Sequence, residues 1–424
     1  MIAPNKPDCT GCGACHSICS VPCISMKSDT EGFLYPALDE SKCTKCKECE
    51  KVCPSLAPQK DKRRPLHVYA AKNPDEETRY QSSSGGIFSL IAENIIQEGG
   101  VVFGARFNDA WEVVHDYTET IEGLAAFRGS KYVQSITGNT YIQAKKFLEN
   151  NRKVLYSGTP CQIAGLKAFL KNDHSNLLAL DFVCHGVPSP LVWKKYFTEI
   201  IGNSTPPLQI HNIKFRDKTF GWNHLLIFAI SFFDEMHRWK RKHFTATTIC
   251  KDKKLFTFTE TSNTNSFMKG FLSNLFLRPS CHACPVKSLA SGSDITIADY
   301  WGVKKKLPDF DDGKGVSLVM VNTENGKKRY DALVKNDRET TYAEAFAANS
   351  TIEKSVLPHK RRILFFKALH TKSVIALIDK LTADSLKKKI WKLLFPLLKR
   401  FKLLSWVRLQ FHKGKDNNEN SICL

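Results

Sequence analysis

Two cysteine runs near the N-terminus have a spacing that suits cubane iron–sulfur clusters. CTGCGACHSIC and CTKCKECEKVC share the pattern C-x2-C-x2-C-x3-C, and Pro54 follows the second run. Two-residue gaps let three thiolates of one loop converge on one cubane, whereas the fourth cysteine of each run binds the other cluster. The spacing therefore predicts two [4Fe–4S] clusters. Their ligands would be Cys9, Cys12, Cys15 and Cys53 (the first cysteine group) and Cys19, Cys43, Cys46 and Cys49 (the second cysteine group).

Zinc is the alternative occupant of these runs, because paired thiolates also suit tetrahedral zinc. Four thiolates suffice for one zinc ion, so zinc gives no reason for the doubled run, and the spacing favours iron. Gly11 and Gly13 let backbone amides turn towards the sulfurs, where they stabilise a reduced cluster. Cys23 lies just outside the first run and is predicted to be a small core residue rather than a ligand. Paired clusters commonly form a relay, so the rest of the chain should contain another redox centre.

Four further cysteines lie at predicted turns and strand ends, where α/β folds collect their functional groups. They are Cys161, Cys184, Cys281 and Cys284, called here the third cysteine group. Together they would complete a third cluster or a zinc site, and the residue types do not choose between the two metals. Cys161 and Cys184 taken alone would be core residues, but the C-x2-C pair is hard to explain by packing. Cys250 has no partner at useful spacing and is predicted to be structural or at the surface.

A serine- and glycine-rich turn precedes a predicted helix in QSSSGGIFSLIAENIIQEGG. The serines at 82–84 can cap the helix, and Gly85 and Gly86 let a ligand approach the backbone closely. The free amides and the positive end of the helix would suit a phosphate, with an ordinary capped helix as the alternative. No G-x-G-x-x-G fingerprint follows a strand, so a standard Rossmann dinucleotide site is not supported.

The chain is strongly basic, with 62 Lys and Arg against 42 Asp and Glu and a formal charge of +20. This balance implies an acidic partner, which can be nucleic acid, anionic lipid or an acidic substrate or protein. From Lys387 to Lys415 there are ten Lys or Arg and no acidic residue, with apolar residues at helical spacing. The pattern predicts a helix lying on an anionic membrane surface, with a helix docked on the protein's own core as the alternative. Nucleic acid is disfavoured because the apolar stripe is aliphatic and no binding motif accompanies it.

Several motifs resemble the coenzyme F-420 hydrogenase/dehydrogenase beta-subunit family. They are SSSGGIFS, GTPCQIAGL, a CHG after a buried strand, and CHACPVK followed by SDITIADYWG. The resemblance runs from the cysteine runs to about Gly302. Members of that family are flavoproteins with iron–sulfur clusters. They include archaeal enzymes that act on a deazaflavin coenzyme and a plant reductase of hydroxymethyl chlorophyll, and many bacterial members resemble proteins of surface-polysaccharide pathways.

The resemblance implies FAD or FMN in the middle of the chain and favours a third [4Fe–4S] cluster at the third cysteine group. The implied flavin-binding residues are Ser84, Gly85, Gly86, Lys131, Thr159 and Pro160. Lys131 would lie near the ring, where a cation stabilises reduced flavin. His185 would deliver a proton or orient the neighbouring ligand Cys184. Lys131 and His185 are therefore the candidate catalytic residues.

We expect a multidomain protein of mixed α+β and α/β class. Its parts would be a ferredoxin-like 2[4Fe–4S] domain (1–56), a linker (57–65), a flavin-binding region (66–150), a second beta-subunit domain with the third cluster site (151–340) and a basic amphipathic helical tail (385–415). The expected function is that of an iron–sulfur flavoprotein oxidoreductase, which passes electrons through a flavin to a hydride-accepting substrate; family analogy suggests surface-polysaccharide metabolism. The rivals are a non-catalytic electron-transfer subunit and a zinc-stabilised nucleic-acid binder.

The expected partners follow from the same features. They are a ferredoxin-type donor or partner redox subunit, an anionic membrane surface, and a small-molecule, sugar or lipid-linked acceptor. No signal pattern precedes Cys9, and no run approaches the ~18 apolar residues of a membrane span. We therefore expect a cytoplasmic location, extending to the inner face of the membrane, where reduced cysteines bind metal rather than form disulfides.

Overall fold

The computed structural model describes residues 5–57, 64–202, 209–218, 221–222, 227–233, 244–250 and 253–383. The chain divides into two units, Met1–Asp379 and Lys380–Leu424. The predicted tail (385–415) and most of the predicted linker (58–63) lie outside the described residues. Within the described ranges, no helix is both long and apolar enough to cross a membrane.

Fourteen strands and thirteen α-helices are described. The strands are β1 (Ile24–Ser28), β2 (Leu34–Leu38), β3 (His67–Ala71), β4 (Val101–Phe107), β5 (Val113–Thr118), β6 (Val154–Gly158), β7 (Leu177–Phe182), β8 (Gln209–Lys214), β9 (Ile227–Phe233), β10 (Phe244–Cys250), β11 (Lys253–Thr261), β12 (Ile295–Asp299), β13 (Ser317–Val321) and β14 (Asp337–Glu339). The helices are α1 (Ala14–Ile18), α2 (Glu48–Lys51), α3 (Glu76–Gln81), α4 (Ile87–Gln97), α5 (Thr140–Glu149), α6 (Pro160–Leu170), α7 (Pro190–Ile201), α8 (Ser266–Leu272), α9 (Val303–Lys306), α10 (Glu324–Leu333), α11 (Tyr342–Ala348), α12 (Arg362–Ala368) and α13 (Val374–Thr382).

The N-terminal module is ferredoxin-like, as the cysteine runs predict. Strands β1 and β2 pair antiparallel, with Ile24 opposite Leu38. Each cysteine run contains one short helix, α1 in the first run and α2 in the second. Both helices begin after a residue in the left-handed conformation, Gly13 (φ 83°) and Lys47 (φ 61°). The two cysteine runs therefore share a backbone conformation as well as a sequence pattern.

One mixed sheet forms the body, in the order β14-β3-β13-β12-β7-β6-β4-β5. The four strands β4, β6, β7 and β12 run parallel to their neighbours in this group, and the outer strands pair antiparallel. The predicted strands in HVYAA, VVFGARF, KVLYSG, LLALDF and SDITIAD are β3, β4, β6, β7 and β12, and the predicted helix after SSSGG is α4. The regions 66–150 and 151–340 share this sheet, because β4 pairs with β6.

Both faces of the sheet are buried, and the period-2 alternation of a strand assigns side chains to them. Phe103 and Tyr156 belong to one core, which α5 and α6 cover. Val102 and Leu155, their neighbours along the strands, belong to the opposite core beneath α4 and α10. Full burial of each large side chain stabilises the fold by roughly 1.5–3 kcal/mol. These continuous apolar strands are typical of a parallel sheet covered on both sides.

The N-terminal module shares a core with the body. Cys12 and Ala14 of the first cysteine run and Val52 of the second pack in the same cluster as helices α5 and α6. A separate antiparallel sheet, in the order β10-β11-β9-β8, is inserted between α7 and α8. The module therefore lies on the α5–α6 face of the main sheet.

Candidate metal centres

The four cysteines of the first group surround one cavity in the N-terminal module. Cys9, Cys12, Cys15 and Cys53 line it, together with residues of both short strands. Burial raises the pKa of Cys12 to about 12, and the neighbouring sulfurs of Cys161, Cys53 and Cys9 raise it further. Thiols in such surroundings keep their protons until a metal ion displaces them. These are the four cysteines that the spacing predicts for one cluster, and Cys53 is the one that comes from the second run.

Four residues flanking the central cysteines of the two runs adopt the left-handed conformation. They are Gly11 (φ 69°), Gly13 (φ 83°), Lys45 (φ 58°) and Lys47 (φ 61°). Glycine is required in the first run, because a Cβ at Gly11 would lie 2.6 Å from Arg278 Nη1 and one at Gly13 would lie 2.5 Å from Thr137 Oγ1. Lys45 and Lys47 are exposed. The first run therefore faces the body, whereas the second faces solvent.

The second cysteine group lies at the surface. Cys19 Sγ is 3.3 Å from Cys23 Sγ, and Cys23 also interacts electrostatically with Cys43. Burial raises the pKa of Cys49, and nearby Cys46 adds to the rise. Cys46 itself is exposed. The structure thus brings Cys19 to the second run, in line with the predicted exchange of fourth cysteines.

The third cysteine group is assembled from three distant segments. Cys161 is the second residue of α6, Cys184 follows β7 by two residues, and Cys281 and Cys284 lie in and just after the 3₁₀ turn Pro279–Ala283. Burial, with a smaller contribution from the other sulfurs of the group, raises the pKa of Cys161, Cys184 and Cys281 to about 12. Every pair within the group interacts in this way. The turn predicted at Cys161 is in fact the first turn of a helix.

The CHG motif places its three residues in different surroundings. Gly186 has a φ of 147°, and a Cβ there would lie 2.8 Å from Leu277 Cδ1 and 3.3 Å from Cys281 Cβ. His185 Nε2 lies 2.7 Å from Asn274 Oδ1, and its ring packs edge-on against Phe271. Burial lowers the pKa of His185. The imidazole therefore points to Asn274, and the glycine allows the segment to approach Cys281.

The first and third cysteine groups meet at helix α6. Residues four apart share one face of a helix, so Cys161 and Gly165 face the same way. A Cβ at Gly165 would lie 2.9 Å from Cys12 Sγ and 3.2 Å from the hydroxyl oxygen of Tyr141. Cys12 also interacts electrostatically with Cys161. Glycine at 165 therefore lets the first cysteine group lie directly against the helix that carries Cys161.

Arg278 lies between the same two groups and is fully buried. Its Nε donates to the carbonyl of Cys9 at 2.7 Å, and its Nη1 donates to Gln134 Oε1 at 3.0 Å. Its Nη2 donates to the carbonyl of Leu34 at 2.9 Å and lies 3.6 Å from Cys9 Sγ. The guanidinium also lies 4.3 Å from the ring centroid of Tyr35. The acceptors described for this buried cation include no carboxylate.

The donor set of all three groups is entirely sulfur, which suits soft metals and iron–sulfur clusters. A cubane takes one thiolate on each of four irons, whereas a single ion needs its ligands around one point. Among the described residues, no group of three or more His, Cys, Asp or Glu side chains is arranged to hold a metal ion.

Two loops that carry predicted flavin-binding residues lie side by side. The amide and hydroxyl of Ser130 both donate to Ser83 Oγ, at 2.7 and 2.9 Å. Ser84 Oγ donates to the carbonyl of Val316 at 2.9 Å. The Gly85 amide donates to Ser317 Oγ at 3.0 Å, and a Cβ at Gly85 would lie 2.5 Å from the Ser317 amide nitrogen. The glycine therefore fits the turn against β13, and Gly86 (φ 80°) begins α4.

Lys131 is held by backbone carbonyls in the second of these loops. Its Nζ donates to the carbonyls of Ala126 at 2.8 Å and Arg128 at 2.9 Å. Burial lowers the pKa of Lys131 to about 7. Burial also lowers the pKa of His115 to about 4, and the charge of nearby Lys131 contributes to that decrease. Lys131 therefore lies in a half-buried pocket of carbonyl oxygens, where a neighbouring anion would favour its charged form.

Thr159 and Pro160 connect that pocket to the third cysteine group. Thr159 caps α6: its amide donates to Gln162 Oε1 at 2.9 Å, and its Oγ1 lies 3.1 Å from Cys161 Sγ. Gln162 Nε2 donates to Ser135 Oγ at 3.0 Å, and Ser135 Oγ lies 2.8 Å from His115 Nδ1. His115 Nε2 is 3.0 Å from the carbonyl of Ser157, so Nε2 carries the proton and Nδ1 accepts one from Ser135. A buried hydrogen-bonded chain thus runs from Cys161 to His115.

Residues 151–345 match the family model for the C terminus of the beta subunit of coenzyme F420 hydrogenase/dehydrogenase. This part of the chain is therefore similar to the beta subunits of that family. All four cysteines of the third group lie in this beta-subunit region. Residues 8–57 match the model of the 4Fe-4S dicluster domain and hold both N-terminal cysteine runs. The chain is therefore an iron–sulfur protein with a redox role that carries a beta-subunit region.

Two known proteins are similar to the chain. The F subunit of the F(420)H(2) dehydrogenase of Methanosarcina mazei is 21% identical over 184 residues, which cover 41% of this chain and 51% of that protein. The chain thus matches about half the length of this relative. The structure of the F420-reducing [NiFe] hydrogenase complex from Methanosarcina barkeri is 14% identical, with a TM-score of 0.43, over 69% of this chain and 90% of that chain.

Two residues beside the turn of 82–86, Lys218 and Trp222, lie outside the sequence motifs. Lys218 is buried, and its Nζ donates to the carbonyl of Ser84 at 2.6 Å. Trp222 Nε1 donates to the carbonyl of Ser83 at 3.2 Å, and its ring stacks on Trp301 with centroids 5.6 Å apart. Trp301, in the DYWG segment, was the one sequence signal for this surface. Lys218 and Trp222 follow no spacing rule, because only the fold brings them to the turn.

Proposed function

We propose that the protein is an iron–sulfur flavoprotein oxidoreductase that transfers electrons between a partner protein and a hydride-exchanging acceptor. The observation that carries this proposal is the contact of the first and third cysteine groups at α6, where Cys12 lies against Gly165 and interacts with Cys161. When bound, iron–sulfur clusters supply one-electron transfer, and a flavin supplies the exchange between single electrons and hydride. Two cysteine groups in contact, with a second group in the same N-terminal module, suit that combination.

The charges around the cysteines fit anionic clusters. A buried guanidinium is costly unless a negative group lies close to it, and the acceptors described for Arg278 are uncharged. A cluster held by four thiolates is anionic. Arg278 contacts Cys9 of the first group and lowers the pKa of Cys161 and Cys281 in the third, against the larger effect of burial. One cation therefore serves both groups, which supports a cluster at each.

The exposed second group offers an entrance for electrons. Cys46 is exposed, and the neighbouring Lys45 and Lys47 are exposed as well. A basic rim around an exposed cluster attracts an acidic protein and weakens with salt. We therefore infer an acidic redox partner, a ferredoxin-type donor or a partner subunit, that docks at this end of the module.

The flavin would lie beside the turn of 82–86. Burial lowers the pKa of Lys131 and of Lys218 to about 7, and an anionic phosphate or reduced ring would restore their charge. Arg216 lies 5.3 Å from the ring centroid of Trp301, which stacks on Trp222. Cations beside stacked rings suit a planar, anionic cofactor. In this arrangement Lys131 stabilises the reduced cofactor.

The test is anaerobic purification followed by iron, labile-sulfide and flavin analysis of one sample. About twelve irons and one flavin per chain would support three cubanes and a hydride-exchanging centre. A screen of acceptors for flavin reoxidation would follow, with a deazaflavin, the class named in the M. mazei relative, among them. About eight irons without flavin would contradict this function and favour an electron-transfer subunit, for which the dicluster domain alone suffices.

The tail supports a second proposal, association with an anionic membrane. Its basis is the run of ten Lys or Arg without acidic residues between Lys387 and Lys415. Near an anionic surface each basic residue contributes about 1 kcal/mol of attraction. Removal of 386–424 should release the protein from vesicles that contain anionic lipid, with neutral vesicles as the control. Unchanged binding by the shortened chain would contradict the proposal.

A further inference from the structure

Cys23 stands next to the second cysteine group, although the spacing of the runs gives it no part there. Its sulfur lies 3.3 Å from Cys19 Sγ, and Cys43 also interacts electrostatically with it. The residue is 5% exposed. Cys19 and Cys43 belong to different runs, so one thiol lies near both segments from which the second group is built.

The backbone holds Cys23 in this position. The Asp39 amide donates to the carbonyl of Cys23 at 2.8 Å, which ties the start of β1 to the segment that leads to Cys43. Cys23 immediately precedes β1, whose pairing with β2 begins one residue later at Ile24 and Leu38. The Cys23 sulfur therefore approaches the group from a strand, whereas Cys19 approaches it from the end of α1.

We propose that Cys23 is a reserve ligand of the second cluster, able to bind iron in place of Cys19. This inference rests on the proposed function, because it takes Cys19, Cys43, Cys46 and Cys49 as cluster ligands. A sulfur in contact with a ligand sulfur needs only a small movement to reach the same iron. In the exchange the Cys23 thiol gives its proton to solvent as its sulfur binds iron, and the Cys19 thiolate takes one up as it leaves. No electron is transferred.

The exposed position of the second group explains why an exchange of ligands would be useful there. Cys46 is exposed, so solvent, oxidants and competing ligands reach this cluster, whereas Cys12 of the first group is 7% exposed. Cluster ligands at an accessible site are more often displaced or oxidised. A fifth thiol that is itself buried keeps the cluster at four ligands when Cys19 is lost. The first cavity, lined by Cys9, Cys12, Cys15 and Cys53, has no fifth cysteine among its described lining residues.

Four variants of the full chain test the proposal: Cys19→Ala, Cys23→Ala, the double variant and Cys49→Ala. Each is purified anaerobically, and iron, labile sulfide and the low-temperature EPR spectrum of the reduced protein are measured. We expect Cys19→Ala to keep its iron with an altered spectrum, and Cys23→Ala to keep both iron and spectrum. The double variant and Cys49→Ala should each lose about four irons per chain.

The variants separate the failure of this inference from the failure of the proposed function. If Cys19→Ala loses as much iron as the double variant while Cys49→Ala also loses about four, the reserve ligand is overturned and the ligand assignment stands. If Cys49→Ala keeps all its iron, the assignment of the second group fails, and the inference fails with it. Cys23→Ala reports any loss of iron that comes from misfolding at this position alone.

Discussion

Gly165 lies directly against Cys12: a Cβ on this glycine would come within 2.9 Å of the sulfur and 3.1 Å of the cysteine Cβ. The close approach is between backbone and side chain in a shared core, so neither partner has room to yield. We expect Gly165→Ala to displace Cys12, with a loss of roughly 1–3 kcal/mol of stability and of iron from the first group. Denaturant unfolding under argon and iron analysis measure both. Lys167→Ala on the same helix is the control, and a wild-type iron content in Gly165→Ala would contradict the contact.

Two glycines in the left-handed conformation allow a matched pair of variants. Gly11 (φ 69°) and Gly99 (φ 72°) would each receive a Cβ at a similar conformational cost. At position 11 the new Cβ meets Arg278, at 2.6 Å from Nη1, whereas nothing lies within 4 Å of a Cβ at position 99. We expect Gly11→Ala to lower the unfolding free energy by about 1 kcal/mol more than Gly99→Ala does. Equal effects would show that the first run does not pack tightly on the body.

Arg278 should raise the reduction potentials of the first and third groups, because a cation stabilises the more negative reduced state. Arg278→Met removes the charge and keeps much of the volume, whereas Arg278→Lys keeps the charge. We expect the methionine variant to shift the potentials downwards by on the order of 50 mV, equivalent to roughly 1.2 kcal/mol for one electron. EPR-monitored redox titration measures the shift. Arg79→Met is the control for the loss of a buried arginine, since Arg79 pairs with Asp312 instead. If Arg278 has the proposed role, the Arg79→Met variant should leave the reduction potentials of both groups unchanged.

His115 should make folding pH-dependent in the acid range. Burial lowers its pKa from 6.5 to about 4 in the folded chain, so between these values the unfolded chain binds more protons. Stability should therefore fall as the pH falls from about 6.5 to 4, by up to about 1.4 kcal/mol per pH unit from this residue. His115→Gln should flatten that part of the profile. Unfolding free energies at pH 5, 6 and 7 give the comparison, and parallel profiles for the two proteins would rule out a buried neutral histidine.

The first and second cysteine groups were predictable because their ligands are close in sequence and their spacing follows from cluster geometry. For the third group, the sequence predicted only that four cysteines lie at turns and strand ends. Its grouping depends on the parallel pairing of β6 and β7, which brings Cys161 and Cys184 to one edge of the sheet, and on the bridge between Pro188 and Leu277, which brings the segment of Cys281 beside that of Cys184. Gly165 could have been noticed, because it lies four residues after Cys161 on the same helical face.

Other features of the site could not be predicted from the sequence around them. Arg278 precedes the CHAC motif by three residues, and nothing in the sequence indicates that its guanidinium reaches Cys9 on a segment 269 residues away. Gly85 was predicted to admit a ligand, but the space beside it is taken by β3 and β13. A glycine shows that something comes close to the backbone, and only the fold shows whether that neighbour is a cofactor or the protein itself.

The assembly of the third cysteine group from residues 161, 184, 281 and 284 has a consequence for biogenesis. The eight cysteines of the N-terminal module all precede Cys161 in the chain, so the two clusters proposed there could be inserted while the rest of the chain is still being synthesised. The third group is complete only after Cys284 has emerged and the sheet has formed. Since Cys12 lies against the helix of Cys161, the module reaches its final contact with the body only once α6 has formed. Under the proposed function, the clusters would therefore be acquired in a fixed order, and interruption of iron delivery late in synthesis would yield a chain with two clusters.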